Sequence, residues 1–169
     1  MSGAGRKAMR LSPALACLGF LALAAAFPAC SKAPPPAAPV HKHEHHPPHG
    51  GTPVVLGDEA YHLELVLDPT DGDLQAYILD GEMENFIRSA DPAIEITVTI
   101  GGKTTPLRLA AVANSATGET VGDTSLFEVR ADSLRGATSF DGVIRSVTIR
   151  GSTFTTVPFN FPKGNDTDG

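Results

Sequence analysis

The stretch AIEITVTIGGKTTPLRLA, residues 93–110, alternates apolar and polar residues with a period of two. A β-strand sends successive side chains to opposite faces, so Ile94, Ile96, Val98 and Ile100 fall on one side and Glu95, Thr97 and Thr99 on the other. Gly101 and Gly102 then supply the two residues of a tight hairpin turn, and KTTPLRLAAV returns as a second strand. Pro106 has no N–H to give to a ladder and marks an edge or a bulge. A strand with one apolar face, reversed by a glycine pair, belongs to an antiparallel sheet with that face packed on a core.

The same pattern extends in both directions. AYHLELVLD (Ala60–Asp68) puts Tyr61, Leu63, Leu65 and Leu67 on one face and His62, Glu64 and Val66 on the other. DLQAYILD (Asp73–Asp80) follows the turn PTDG, and SLFEVRA gives a further short strand. GVIRSVTIRG and STFTTVPFNF form a last hairpin about Gly151-Ser152, with Pro158 at an edge or bulged position. Alternation breaks between Ile144 and Val147, which predicts a bulge near Arg145. GEMENFIR and ADSLRG can each supply one helical turn, and no amphipathic helix is evident. Seven to nine short strands in about 110 residues predict an all-β domain, an antiparallel immunoglobulin-like β-sandwich, over residues 52–161. The hallmark tryptophan and cysteine pair are absent, so strand number and patterning alone carry this expectation, with a small open barrel as the alternative. Residues 162–169 read as a polar, disordered tail.

The chain ahead of the strands has a different composition. Arg6, Lys7 and Arg10 form a positive n-region, and Leu11–Phe27 follows as an apolar run that ends at small residues. FPAC, ending at Cys30, resembles the lipobox of bacterial lipoproteins, in which the cysteine is lipidated and becomes the new N-terminus. Phe27 stands where that family prefers leucine, and Pro28 is unusual there. The expectation is a lipoprotein signal peptide over residues 1–29 and a lipid anchor at Cys30. Ser31 after the cysteine, by the same resemblance, implies the periplasmic face of the outer membrane. Cleavage after Ala24–Ala26, giving an exported soluble protein, is the alternative.

Removal of Arg6, Lys7 and Arg10, with no acidic residue among 1–29, leaves 10 Lys+Arg against 19 Asp+Glu and takes the net charge from −6 to −9. Such a surface repels nucleic acid and anionic lipid. Cys17 leaves with the signal and Cys30 would be acylated, so the domain is expected to stand on its core without a disulfide. Residues 30–51 read as a flexible tether. SKAPPPAAPV favours extended polyproline conformations, and residues 31–49 would reach about 60 Å in that form.

The tether ends in HKHEHHPPHGG, residues 41–51, which holds five of the six histidines of the chain: His41, His43, His45, His46 and His49. Neutral imidazole is a common ligand for Zn²⁺, Cu²⁺ and Ni²⁺, and a flexible chain can wrap several around one ion. No thiolate is present for a closed cysteine zinc site. A hydrophilic spacer whose histidines bind nothing in the cell is the simpler alternative. His62 is a further candidate ligand, although its place on a polar strand face beside Glu64 fits a surface histidine better. Folding of the tract back along this strand would let His49 and His62 meet.

Other constellations are weak. DPTDGD lacks the ligand spacing and the glutamate of an EF-hand and reads as turn chemistry. Glu82 and Glu84 fall in a solvated loop. No nucleophile elbow, phosphate loop or zincin helix is present, so nothing points to an enzyme.

HEHHPPHGG followed by VVLGDEAYHLELVLD resembles a small β-rich segment near the N-terminus of some periplasmic adaptor subunits of heavy-metal efflux pumps. It is also similar to small stand-alone lipoproteins with the same opening. The likeness covers residues 41–68, and the His49-Gly50-Gly51 turn into a strand is its distinctive part. It implies an envelope module that handles divalent metal, with the five tract histidines at matching positions. The long coiled-coil hairpin and barrel of an adaptor are missing, so a role in efflux would be accessory. Two functions follow as expectations: a lipid-anchored metal-binding protein, or a module that docks an envelope partner with the tract as a spacer.

Overall fold

A computed structural model of the chain describes residues 46–166. It is all-β, with eight antiparallel strands: β1 (Thr52–Leu56), β2 (Tyr61–Asp68), β3 (Asp73–Asp80), β4 (Ala93–Ile100), β5 (Lys103–Ala111), β6 (Leu126–Arg130), β7 (Phe140–Ile149) and β8 (Ser152–Phe161). One 3-10 turn, Asp132–Leu134, is the helical element among the described residues and falls in ADSLRG. The strands form a single sheet in the order β1-β2-β3-β6-β5-β4-β7-β8. The sheet curls until its two outer strands approach, a nearly closed, barrel-like version of the expected two-layer packing. Asn165 spans the remaining seam: its side-chain Oδ1 accepts the Val55 N–H at 2.7 Å and its Nδ2 donates to the Val55 carbonyl at 3.1 Å.

The alternation seen in the sequence decides the inner face. Ile94, Ile96 and Val98 of β4 are buried, as are Leu63 and Leu65 of β2 and Leu74, Ala76 and Ile78 of β3. The bulge expected near Arg145 is present. Glu95 pairs with Ser146 but Ile96 pairs with Ile144, so Arg145 is the extra residue on β7. Inward positions shift accordingly, from Phe140 and Ile144 to Val147 and Ile149. Thr156, opposite Arg145 on β8, has φ of 55°, and the odd residue on each strand keeps the β7–β8 register intact. Pro158 lies on β8, an edge strand. Pro106 lies in the part of β5 beyond its two pairings with β6, Ala110 with Glu128 and Ala111 with Phe127. The last hairpin turns at Arg150-Gly151, one residue earlier than expected, with both residues at positive φ.

The folded unit runs past residues 52–161 at both ends. Residues 46–51 turn onto the outer face of β2, and Asn160 and Gly164 exchange backbone hydrogen bonds after the chain leaves β8. The connection from β5 to β6 is held by polar contacts. Glu119 is buried and accepts hydrogen bonds from the Ser125 N–H and hydroxyl and from the Thr117 hydroxyl. Burial raises its carboxyl, but those donors and the charge of Arg88 outweigh burial and leave it below the ordinary value of 4.5.

Two measurements check this architecture. A Cβ at Gly142 would clash with the tip of the Phe159 ring across β7 and β8, so Gly142→Ala is expected to lower stability by about 1–3 kcal/mol in denaturant unfolding. Glu119 titrates lower in the folded chain than in the unfolded one. It therefore stabilises above pH 4.5, and that stability is lost as the pH falls through the folded-state value. Thermal unfolding against pH should show a shallower acid-side decline for Glu119→Gln than for the parent chain; equal slopes would exclude this role.

Candidate functional site

The outer face of β2 and β3 departs from simple amphipathicity. Register places Val55, His62 and Leu79 in one row across β1, β2 and β3, and Pro53, Glu64 and Tyr77 in the next. A strand with one solvated face would leave His62 and Glu64 in water, yet both are completely buried. The expectation of a surface His62 is therefore corrected. A second, small layer lies over this face. Leu79 and Met83 are buried but belong outside the main core, and Phe86 forms an isolated bridge with Leu79. The Asp80 carboxylate pins the intervening turn by accepting the Glu84 N–H, the Asn85 N–H and the Asn85 side-chain amide.

The other half of that layer is the end of the histidine tract. Pro47 and Pro48 restrict the backbone, and the Gly50 N–H closes a turn on the Pro47 carbonyl at 3.0 Å. Gly51 then passes so close to β2 that a Cβ there would lie 2.6 Å from the Leu65 carbonyl and 2.8 Å from Glu64 Cγ. Only glycine lets the turn approach this closely. The approach delivers three donors to one carboxylate. Glu64 Oε1 accepts the His49 N–H at 2.7 Å and the Gly51 N–H at 2.9 Å, and Oε2 lies 2.8 Å from His49 Nδ1. A carboxylate carries acceptors only, so the hydrogen of the last bond is on Nδ1.

The His49 ring stacks on Tyr77, with centroids 4.0 Å apart and planes at 18°. Phe86 lies 5.7 Å from it at a tilt and is itself 48% exposed. The His49 side chain remains 37% exposed. Burial, followed by the charges of Glu64, Glu128 and Asp73, pushes the Tyr77 phenol above its ordinary value. Tyr77 thus stays a neutral donor, to Gln75 Oε1 at 2.9 Å.

Of the candidate ligands, His49 is seated on Glu64 and His46 is exposed at the start of the described chain. His62 shares the Glu64 face, with Nδ1 donating to the Asp80 carbonyl over 3.3 Å. The described end of this stretch, residues 46–51, lies along β2, and His49 meets Glu64, two residues along the strand from His62. His41, His43, His45 and Cys30 lie outside the described residues. Among the described residues no three His, Cys, Asp or Glu side chains gather where they could share an ion, and no helix is long and apolar enough to cross a membrane. Glu64 and Tyr77 are the site residues that sequence reasoning missed. Their signal was a carboxylate and a tyrosine on the nominally polar side of adjacent strands that follow the HGG turn.

Matches were sought among protein-family models, curated proteins and solved structures, and the chain matches none of them.

Truncation of Glu64 would leave the His49 and Gly51 amides without their acceptor beneath the turn. Glu64→Ala is expected to cost about 1–3 kcal/mol and to raise hydrogen exchange at those two amides above the rest of β1 and β2. Unchanged exchange there would show that the turn is held by something other than the carboxylate.

Proposed function

We propose that this chain is a lipid-anchored, non-enzymatic protein of the bacterial cell envelope that captures a divalent transition metal, Zn²⁺, Cu²⁺ or Ni²⁺, through the histidines of residues 41–49, in an accessory role in metal handling or efflux. One observation supports the reading above the others. The last histidine of the tract is seated on the domain, with its Nδ1 engaged by Glu64 and its side chain 37% exposed. A spacer needs no such attachment of its final imidazole. In metal sites a ligating histidine commonly gives its other ring N–H to a carboxylate, which fixes the tautomer and the ring orientation. His49 and Glu64 have that relationship.

His49 would supply one ligand, and His41, His43, His45 and His46 the remainder. Imidazole binds metal when neutral, so capture weakens as the pH falls below about 6. Cys30 would carry the anchor and hold the site at the periplasmic side of the membrane. A second reading, docking of an envelope protein partner with the tract as a spacer, draws support from Phe86, exposed beside the seated histidine.

Isothermal titration of the purified chain with each metal, beside a variant with His41, His43, His45, His46 and His49 all changed to serine, separates the two. Micromolar or tighter binding of one metal, abolished in the variant, is the expected result. Binding that survives the substitutions would remove the tract from the function and leave the docking surface.

A further inference from the structure

The negative net charge of the domain hides a division. Residues 93–111 and 140–163, which hold β4, β5, β7 and β8, carry Lys103, Arg108, Arg145, Arg150 and Lys163 against Glu95 and Asp141. The rest of the described chain holds most of the carboxylates, and its basic residues, Arg88, Arg130 and Arg135, each sit in an ion pair with Asp123, Asp71 or Asp132. The five basic residues of the first set are all exposed, and none makes an ion pair among the described residues. Salt screens exposed charges beyond about 8 Å, so an anion approaching this side meets these cations before it meets the acidic half.

The outer face of the sheet on this side holds a shallow groove of about 210 Å³. Register builds it from two rows, Thr104, Thr99 and Asp141 in one and Thr97 and Val143 in the next, with Arg145 beyond them. The Thr99 and Thr104 hydroxyls are 3.0 Å apart, so one gives its hydrogen to the other and the acceptor keeps its own to donate elsewhere. Asp141 Oδ1 accepts the Asn160 side-chain amide at 2.8 Å, which leaves Oδ2 as an acceptor. Val143 and the Gly142 backbone lie between these polar groups and give the groove an apolar strip. Arg145 is the bulge residue, so that it and Ser146 are both exposed opposite Glu95. Its counterpart on β8, Thr156, is a β-branched residue held at φ of 55°, a costly conformation of the kind that clusters at functional sites.

We infer that this groove binds one anionic sugar unit, with its carboxylate or phosphate on Arg145 and its ring hydroxyls on Asp141 and the threonines. A guanidinium presents a planar fork that matches either oxyanion, and this one has no partner within the described chain to give up. Threonine hydroxyls and a free carboxylate oxygen are the donors and acceptors that ring hydroxyls need, and Val143 suits the C–H face of the ring. Pockets that bury a drug-sized ligand run to about 300–1,000 Å³, so a smaller, open groove takes a single unit. The inference is independent of metal capture, and its test uses no metal.

Amide chemical-shift titrations of the purified chain with glucuronate, glucose 6-phosphate, glucose and inorganic phosphate provide the test. The expected result is saturable shifts confined to residues 97–104 and 141–145 with an acidic sugar, and weaker binding of both glucose and phosphate. Binding of one acidic sugar and not the other supports the inference and identifies the oxyanion. Arg145→Ala is expected to lower that affinity about 10–100-fold, the worth of a hydrogen bond to a charged group. Arg145→Lys, which keeps the charge and loses the fork, should fall between the two. Thr97→Val should weaken the acidic sugar and leave phosphate unchanged. No saturable shift with either acidic sugar overturns the inference, as does glucose binding equally well. Phosphate binding as tightly as the sugars makes the groove a general anion site and overturns it too. Should Arg145→Ala fail to fold, Arg145→Lys decides, and affinity equal to that of the parent chain there sinks the inference.

Discussion

A single sheet has to supply both walls of the core, and this constraint sets most of what else the domain does. Eight strands ordered β1-β2-β3-β6-β5-β4-β7-β8 bury their apolar faces only by curling onto one another. Curling needs places where the ladder can bend. Arg145 on β7 and Thr156 on β8 provide one, each an added residue that moves the inward set by one position without breaking the β7–β8 register. Beyond the end of the β4–β7 pairing, the backbone of Thr148 is met by side chains instead: its N–H by Asp91 at 2.7 Å and its carbonyl by the Ser89 hydroxyl at 2.7 Å. The barrel-like shape is thus completed partly by side chains that imitate strands.

The same constraint leaves edges that must be made safe. Exposed N–H and C=O rows invite pairing with another chain. The seam between β1 and β8 is filled by the Asn165 amide, which offers Val55 the donor and acceptor of a neighbouring strand. Where β5 runs free of β6, Pro106 removes the donor that an incoming strand would need.

The inner face was legible in the sequence because it obeys one rule, alternation, and its exceptions were legible because they break that rule: Ile144 to Val147, Pro106 and Pro158. The outer face of β2 and β3 was not legible for a physical reason. Period-two alternation reports which side of a strand faces the core and is silent on whether the other side is covered. His62 and Glu64 have the polarity of surface residues and the burial of core residues, because a turn and a loop distant along the chain lie over them. Glu64 tolerates burial through three N–H donors, two of them backbone groups whose direction no side-chain pattern encodes. The HGG sequence did carry part of the message, since a glycine at position 51 is what a close pass over β2 requires. Its target could be found only by folding the chain. The contact of Asn165 was illegible for a similar reason: the residue sits in a stretch that is polar by composition, and its role depends on where Val55 comes to lie.

A buried carboxylate is seldom the most stable choice for filling space, since an apolar side chain of the same volume avoids the cost of removing a charge from water. At position 64 an apolar residue would pack against Pro53 and Tyr77, its register neighbours, but would orphan the His49 and Gly51 amides and release the imidazole. The charge therefore secures a position more than it secures the fold, and what it positions is the junction between tract and domain. That location matters for the proposed capture site. In the sequence His46 is three residues from His49, and His45, His43 and His41 follow within eight, so at the proposed site each further ligand would join by an intramolecular step. Linked ligands reach effective concentrations of about millimolar, so individually weak imidazole contacts would add to a combined affinity at the proposed site. A tract of the same composition with no fixed member would have to order every ligand at once, and the ordering entropy would fall on the ion.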